Sequence, residues 1–253
     1  MDFGLRDRRA LVTAASKGIG RACAEGLIAE GARTYISSRN AESIETTGRA
    51  IGAAGWSARD VSKAGEPEAF VASAVERLGG LDILIVNAGG PPPGVLQTLP
   101  LETWQHAFDL TLMSAVRLVH AGLPHLKGSD QGRIVFITSI SVRQPIRNLI
   151  LSNSMRAAVT GMAKSLSFEV AADRITVNCV APDAIRTDAL GRLAPAGADT
   201  EKFLEQLADR APMKRLGDPT EVAAACVFLC SRQAAYITGQ SLGVDGGSLL
   251  GVH

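Results

Sequence analysis

Residues 10–20 read ALVTAASKGIG, and this stretch decides the fold. Ala10 to Ala14 are apolar and β-prone, as in a buried strand, whereas Arg21 to Glu30 carry apolar residues at helical spacings. Between the two, Gly18 and Gly20 allow a tight turn. A turn that feeds a helix N-terminus presents backbone N–H groups and the positive end of the helix dipole to a pyrophosphate. The stretch therefore predicts a phosphate-binding turn; the alternative is that the glycines serve only strand–helix packing.

The rest of the chain alternates short β-rich apolar runs with helical patterns. Parallel strands need such crossovers, so we predict an α/β fold. It is a doubly wound, Rossmann-type, seven-stranded, mostly parallel sheet flanked by helices on both faces. The predicted strands are Ala10 to Ala14, Ala32 to Ser37, Trp56 to Val61, Leu81 to Val86, Arg133 to Thr138, Ile175 to Val180 and Ser241 to Val244. The main predicted helices are Arg21 to Glu30, Glu66 to Leu78, Leu101 to Leu126 and Leu149 to Ala171.

The length of 253 residues suits a single α/β domain, and no repeat or long linker divides the chain. We therefore expect residues 1–253 to form one dinucleotide-binding domain. A Gly/Pro-rich loop, Gly89 to Gly94, follows the fourth predicted strand, where open α/β sheets bind ligands. The irregular segment Pro182 to Asp199 is a candidate substrate lid, which we place near residues 182–211.

The composition excludes several classes of protein. The chain has 26 Lys and Arg against 25 Asp and Glu, a net charge of +1, which argues against nucleic-acid binding. No apolar run approaches the roughly 18 residues of a membrane span. The N-terminal segment is too polar for a secretory signal, so we expect a cytoplasmic protein. The four cysteines lack metal-ligand spacing and indicate free thiols and no metal site.

Charges near the second predicted strand indicate the cofactor. That strand ends at Ser37-Ser38-Arg39, where an NAD site usually places a carboxylate against the ribose 2′-hydroxyl. Arg39 can bind a 2′-phosphate through two N–H groups, and Lys17 can add a point charge. The pair favours NADP(H), with NAD(H) as the alternative. Arg39 can equally be a solvated loop charge without a ligand.

Several motifs, in order along nearly the whole chain, resemble the short-chain dehydrogenase/reductase family, in its β-ketoacyl-carrier-protein reductase-like branch. They are Thr13 to Gly20, Asp60-Val61, Asn87-Ala88-Gly89, Gly132 to Ser139, Asn178 to Pro182, Ile185 to Thr187, and the tail from Tyr236 to Gly247. The resemblance implies a nicotinamide cofactor and a homotetramer or homodimer built on the two long helices. The turn, the charges and the resemblance together predict these cofactor-binding residues: Thr13, Ala15, Ser16, Lys17, Gly18, Ile19, Gly20, Arg39, Asp60, Val61, Asn87, Ala88, Gly89, Pro182, Ile185 and Thr187.

The catalytic positions depart from the family pattern. In the family, a tyrosine gives its proton to the carbonyl oxygen, a lysine lowers the tyrosine pKa, a serine orients the substrate and an asparagine supports the lysine. Here Ser139 keeps the serine position, Ser152 stands at the tyrosine position and Arg156 at the lysine position. Thr111 stands at the asparagine position. Two family glycines are also replaced, one by Ala14 in the turn and one by Asp183 after Pro182.

The usual proton relay is therefore absent, because arginine stays charged and an aliphatic hydroxyl is a poor acid. General acid catalysis contributes about 10²–10⁴-fold, whereas positioning the reactants can contribute roughly 7–11 kcal/mol. We expect slow reduction, with Ser139 and Ser152 holding the carbonyl oxygen, Arg156 stabilising the alkoxide, and water or substrate giving the proton. Alternatively, Ser139 only satisfies the strand end and Arg156 forms a subunit contact.

The sequence thus predicts an atypical NADP(H)-dependent oxidoreductase. It reduces a carbonyl, or oxidises the alcohol, of a small and rather apolar substrate, with neither nucleic acid nor membrane as a partner. Two alternatives remain open: a non-catalytic NADP(H)-binding subunit or sensor, and a lyase or isomerase on the same fold.

Overall fold

Seven parallel strands form one sheet in the order β3-β2-β1-β4-β5-β6-β7. The computed structural model describes residues 2–195 and 197–251, so Ala196 of the predicted lid lies outside the described residues. The strands are β1 (Arg9–Val12), β2 (Arg33–Ser38), β3 (Gly55–Ala58), β4 (Ile83–Val86), β5 (Arg133–Ile137), β6 (Thr176–Pro182) and β7 (Ser241–Val244). The predicted fold class is confirmed, and every neighbouring pair of strands is parallel.

The helices cover both faces of the sheet. They are α1 (Gly18–Ala29), α2 (Ala41–Ile51), α3 (Glu66–Leu78), α4 (Leu101–Ala107), α5 (Ser114–Lys127), α6 (Ile150–Glu169), α7 (Asp188–Gly191), α8 (Thr200–Arg210) and α9 (Pro219–Cys230). A π-helical turn, Phe108–Met113, joins α4 to α5. Two short 3-10 turns are Ile140–Val142 and Ala171–Asp173.

Two apolar cores lie on opposite faces of the sheet. Alternate residues of β4 point into them: Ile83 and Ile85 face α1 and α9, whereas Leu84 and Val86 face α3, α5 and α6. Because both faces are covered, the central strands are continuous apolar runs with no polar alternation. This burial fixes the sheet as the rigid base from which the loops at its carboxyl edge project.

Several predicted boundaries differ from the structure by one to three residues, and three predicted segments differ in ways that affect the surroundings of the site. The strand predicted over Trp56 to Val61 ends at Ala58, because the backbone turns at Asp60 and its carboxylate accepts hydrogen bonds from the amide and hydroxyl of Ser62. The helix predicted over Leu101 to Leu126 contains the π-helical turn. The predicted irregular lid begins inside β6, at Pro182, and contains α7 and α8.

The strand order reverses between β1 and β4. The chain continues from β1 to β2 and β3 on one side, and from β4 to β5 on the other. At this switch point the carboxyl ends of the strands leave a crevice, which is where open α/β sheets bind ligands. The turn after β1 and the segment Asn87 to Gly89 after β4 both enter that crevice.

Candidate active site

The N-terminus of α1 is open to an anion. Lys17 precedes the helix in an extended conformation, no described side chain caps the first amides, and the first turn holds no acidic residue. Four other helices do have such caps, provided by the side chains of Asn40, Thr187, Asp199 and Asp218. The free amides and the helix dipole therefore fit a pyrophosphate.

Thr13 and Asn87 hold the turn against β4. The Thr13 hydroxyl donates to the carbonyl of Asn87 at 2.6 Å and accepts from the Asn87 amide at 2.8 Å. The Asn87 side chain donates to the carbonyl of Ala14 at 3.3 Å. Ala15 is buried in the core, and its amide donates to Ser37. The side chains of Thr13 and Ala15 thus shape the turn and offer no surface to a ligand.

The turn is tightly packed at two positions. Ala14 lies at φ +48°, a left-handed conformation usually taken by glycine, which the family pattern places there. A Cβ on Gly20 would lie 2.4 Å from the Ala14 carbonyl oxygen, so Gly20 is required for close approach of the helix. The predicted cofactor residues divide by exposure as follows: Lys17, Arg39 and Gly89 are exposed; Ser16, Gly18, Ile19, Asp60, Asn87, Ala88 and Thr187 are partly buried; Thr13, Ala15, Gly20, Val61, Pro182 and Ile185 are buried.

Two exposed cations border the crevice. Arg39 follows β2 and faces Asp60, whose carboxylate also accepts from Ser62. Burial raises the pKa of Asp60, but the Ser62 hydrogen bonds and the charge of Arg39 outweigh burial and hold the pKa below its ordinary value. Lys17 pairs with Asp188, its Nζ lying 2.7 Å from Oδ2. Asp188 carries no motif in the sequence, and this contact joins residues 171 positions apart, so no local pattern could have indicated it.

The side of the crevice after β4 and β6 is roomy. A Cβ on Gly89 or Gly90 would meet no described atom within 4 Å. On the other side, Pro182 and Ile185 are buried, and the Thr187 hydroxyl caps α7 by accepting from the amide of Leu190 at 3.3 Å. These segments border the open space beside Gly89 and Gly90.

Ser139 lies directly after β5 and begins a 3-10 turn. Its hydroxyl oxygen accepts a hydrogen bond from the Ser141 amide at 3.1 Å, so part of its role is to cap the strand end. The side chain is only partly buried. The hydroxyl hydrogen therefore stays available for a substrate oxygen. Ser141 is buried, and its hydroxyl has no hydrogen-bond partner in the described part of the chain.

Arg156 projects inward from α6 onto the end of β5. Its Nη1 donates to the carbonyls of Ile137 at 2.8 Å and Thr138 at 3.1 Å, and its Nε donates to the Ser152 hydroxyl at 3.2 Å. Burial lowers the pKa of Arg156 to about 10, so the side chain is a cation at neutral pH. Two guanidinium nitrogens bind the chain itself. Stabilisation of a substrate alkoxide by the Arg156 charge stays a prediction, and so does the alternative of a subunit contact.

Thr111 shares a small internal cavity with Arg156, bounded also by Ala88 and Thr138. Thr111 belongs to the π-helical turn and is 5% exposed. Its hydroxyl has no hydrogen-bond partner within residues 2–195 and 197–251. The structure therefore brings Thr111, Arg156, Ser152 and the end of β5 together at one edge of the sheet.

Neither tyrosine of the chain replaces the missing one. Tyr35 is buried in β2, and its hydroxyl donates to the carbonyl of Trp56 at 3.1 Å. Tyr236 is fully exposed in the segment before β7. The neighbouring Thr238 accepts from the amide of Val177 near the start of β6, so this segment lies toward the amino edge of the sheet. Ser152, which we expect at the proton-transfer position, lies on α6 and accepts a hydrogen bond from Arg156 beside the end of β5.

Asp183, the residue after β6, is a partly buried carboxylate on the same edge. Burial raises its pKa and the like charge of Asp245 adds to the effect, while a hydrogen bond from Ser248 opposes it.

Among the described residues, no group of three or more His, Cys, Asp or Glu side chains is placed to hold a metal ion. A helix of membrane-spanning length and apolarity is also absent from the described ranges.

Comparisons with known proteins agree with this geometry. Residues 13–248 match the family model described as enoyl-(acyl carrier protein) reductase. The chain is 35% identical over 249 residues to dehydrogenase/reductase SDR family member 4 of Oryctolagus cuniculus, covering 96% of this chain and 94% of that protein. It is 36% identical over 246 residues to 3-oxoacyl-(acyl-carrier-protein) reductase of Vibrio cholerae, covering 97% and 98%.

A solved structure is similar over its whole length. L-sorbose reductase of Gluconobacter frateurii, in complex with NADPH and L-sorbose, superposes with a TM-score of 0.95 and is 34% identical, with 100% of both chains covered.

Proposed function

The chain belongs to the short-chain dehydrogenase/reductase family of oxidoreductases, and we propose that it is an NADP(H)-dependent reductase of small carbonyl compounds that works without a tyrosine acid. The observation that carries this proposal is the hydrogen bond, 3.2 Å long, between Arg156 and Ser152, the residues that we assign to the lysine and tyrosine positions of the family. The pair keeps a charged, polar group where a proton must reach the substrate oxygen.

The residues of the crevice fit a nicotinamide dinucleotide. The uncapped amides at the start of α1 would bind the pyrophosphate, and the free space beside Gly89 would admit the ring. Arg39 and Lys17 would bind the 2′-phosphate of NADP(H), and this preference is supported by the L-sorbose reductase complex, which contains NADPH. NAD(H) is the alternative cofactor.

The side chains around Ser152 then hold the substrate oxygen. When bound, the nicotinamide supplies the hydride for the carbonyl carbon. Ser152 accepts from the Arg156 guanidinium, so its own hydrogen is free to donate toward the carbonyl oxygen, and Ser139 supplies a second donor. The buried positive charge of Arg156 stabilises the negative charge that develops there. Water or a hydroxyl of the substrate gives the proton.

This site is slower than one with a tyrosine. A positioned general acid contributes about 10²–10⁴-fold to the rate, and two serine hydroxyls replace it only in orienting the oxygen. The binding crevice is retained, so hydride transfer still benefits from proximity. We therefore expect low but measurable turnover.

The test restores the family pair with the double variant Ser152→Tyr/Arg156→Lys. We expect its kcat for ketone reduction to rise by about 10²–10⁴-fold. Ser154→Tyr is the matched control, because Ser154 lies on the same helix, is exposed, and should leave kcat unchanged. Thermal unfolding of each variant checks that the fold is intact. A wild type and double variant that both bind NADPH but reduce nothing in a broad carbonyl panel would favour the alternative of a non-catalytic binding subunit or sensor.

The substrate panel follows from the comparisons. We propose a small ketone, and the full-length likeness to L-sorbose reductase supports including ketoses beside apolar ketones. Conversion without net change of NADPH absorbance would instead favour a lyase or isomerase. We further propose that residues 182–211, with α7 and α8, act as the substrate lid of a single domain.

We also propose a cytoplasmic homotetramer or homodimer. Large apolar side chains are exposed on both predicted assembly helices, with Leu101 at 81% and Phe168 at 73%. The four cysteines are free and buried, as suits a reducing compartment. Sedimentation of the wild type against Phe168→Asp tests the assembly; an unchanged monomeric mass for both would contradict it.

A further inference from the structure

An ion pair bridges two elements at the mouth of the crevice. Lys17 is the last residue before α1, Asp188 is the first residue of α7, and Lys17 Nζ lies 2.7 Å from Asp188 Oδ2. The two elements also touch beside this pair, since a Cβ on Gly18 would lie 3.3 Å from Thr187 Cγ2. The pair therefore joins the turn between β1 and α1 to the start of α7.

The ion pair is exposed to solvent, so Lys17 can exchange Asp188 for another anion. The side chains are 61% and 68% exposed, so solvent screens their attraction and the ammonium can move to another anion. The interaction with Lys17 is also the main reason that the pKa of Asp188 lies below its ordinary value. One ammonium thus has two candidate anions, the Asp188 carboxylate and the 2′-phosphate of a bound nucleotide.

We propose that Asp188 is a specificity-determining residue that competes with the 2′-phosphate of the cofactor for Lys17. It weakens binding of 2′-phosphorylated nucleotides and leaves nucleotides with a free 2′-hydroxyl unaffected. Asp188 thereby reduces the difference between the affinities of the protein for NADP(H) and for NAD(H). The inference rests on the proposed function in one respect, that Lys17 binds the 2′-phosphate.

The test isolates the 2′-phosphate with two fragments of the cofactor, 2′,5′-ADP and 5′-AMP, whose dissociation constants are measured by calorimetry at low salt. Asp188→Asn is expected to tighten 2′,5′-ADP binding about two- to fivefold, which is the effect expected from an exposed ion pair. The affinity for 5′-AMP stays unchanged. The gain disappears at about 1 M salt, where the Debye length is roughly 3 Å.

Two controls identify the cause. Asp130→Asn also removes an exposed aspartate from an ion pair, with Arg8, but at the amino edge of the sheet, so it should change neither affinity. In a Lys17→Ala background, Asp188→Asn should have no effect on 2′,5′-ADP, because the residue for which the two anions compete is gone.

The outcomes separate this inference from the proposed function. If 2′,5′-ADP binds better than 5′-AMP but Asp188→Asn leaves both unchanged, the competition is wrong and the cofactor assignment stands. A gain of equal size for both fragments, or one that persists without Lys17, also overturns the competition. If neither fragment nor NADPH binds to the wild type, the proposed function fails together with it.

Discussion

At the scale of single residues, the pair of Arg156 and Ser152 decides what the site can do. Arg156 donates to the backbone carbonyls of Ile137, the last residue of β5, and of Thr138, and to the Ser152 hydroxyl. These contacts link α6 to the end of the strand that precedes Ser139. A lysine has a single nitrogen and cannot make this spread of contacts in one plane. Arg156 therefore both fixes α6 against the end of β5 and places a positive charge there.

Ala14 offers a direct test of the turn. A non-glycine residue in the left-handed region costs roughly 1–2 kcal/mol, whereas glycine adds about 0.4–1 kcal/mol of entropy to the unfolded chain. Because Ala14 lies at φ +48°, Ala14→Gly should raise the free energy of unfolding by up to about 1 kcal/mol. Urea denaturation measures it.

The matched control for Ala14→Gly is the opposite exchange at Gly20. Gly20→Ala should destabilise the protein, since its Cβ would lie 2.4 Å from the Ala14 carbonyl oxygen. If Ala14→Gly lowers the free energy of unfolding, the turn does not have the backbone conformation described above.

The resemblance to the family assigned Ser139, Ser152 and Arg156 to one site, and the structure brings Ser152 and Arg156 into hydrogen-bond contact beside the end of β5. Their catalytic roles stay predictions. The sequence could not predict that Arg156 turns toward Ile137 and Thr138, or that Lys17 meets Asp188, since rotamers and contacts across 171 residues leave no periodic pattern.

At the scale of elements, the π-helical turn Phe108–Met113 separates α4 from α5 and carries Thr111. Apolar spacing predicted one helix over this region, because Phe108–Met113 contains neither Gly nor Pro and a single π turn leaves no other mark in the sequence. Such turns are frequent at functional sites, and here it places a hydroxyl against the cavity shared with Arg156.

Replacing the Thr111 hydroxyl tests whether the π-helical turn holds it without a hydrogen-bond partner. Thr111 Oγ1 is buried without a partner in the described ranges, so Thr111→Val should leave the free energy of unfolding unchanged or raise it by about 1 kcal/mol. Thr138→Val is the control: the Thr138 hydroxyl donates to Val180 at 3.3 Å, and removing it should cost about 1 kcal/mol. A clear loss of stability in Thr111→Val, measured by urea denaturation, would show that the hydroxyl has a partner.

At the scale of the whole molecule, the two edges of the sheet have different roles. The carboxyl edge holds the candidate site, and the amino edge holds a buried charge network. Asp82, 2% exposed, accepts from the backbone amide, Nε and Nη2 of Arg9 and from the hydroxyl of Ser129. Alternation of strands and helices was enough to predict the parallel architecture, but not this network, because it joins residues from three separate segments.

The network predicts how stability depends on pH. Burial raises the pKa of Asp82, but the hydrogen bonds from Arg9 and Ser129 outweigh burial and bring the pKa below its ordinary value of 3.8. A depressed folded-state pKa means that Asp82 stabilises the fold above about pH 4 and that this contribution is lost as the pH falls through the folded-state pKa.

Asp82→Asn should therefore cost about 3 kcal/mol at pH 7, as expected when one partner of a buried ion pair is removed. The difference from the wild type should shrink as the pH falls below 3.8 toward the folded-state pKa of Asp82. Urea denaturation over a pH series from 7 into the acid range measures it. A loss that stays equal across the series would mean that the charge of Asp82 is not what stabilises this edge.

The central claim, that the crevice binds NADP(H), is tested most directly by calorimetric titration of the purified protein with NADPH and NADH. The account predicts that NADPH binds at least about tenfold more tightly, about 1.4 kcal/mol, and that Arg39→Asp removes this preference. If neither nucleotide gives heat of binding at millimolar concentration, or if the wild type binds the two with equal affinity, the claim is contradicted.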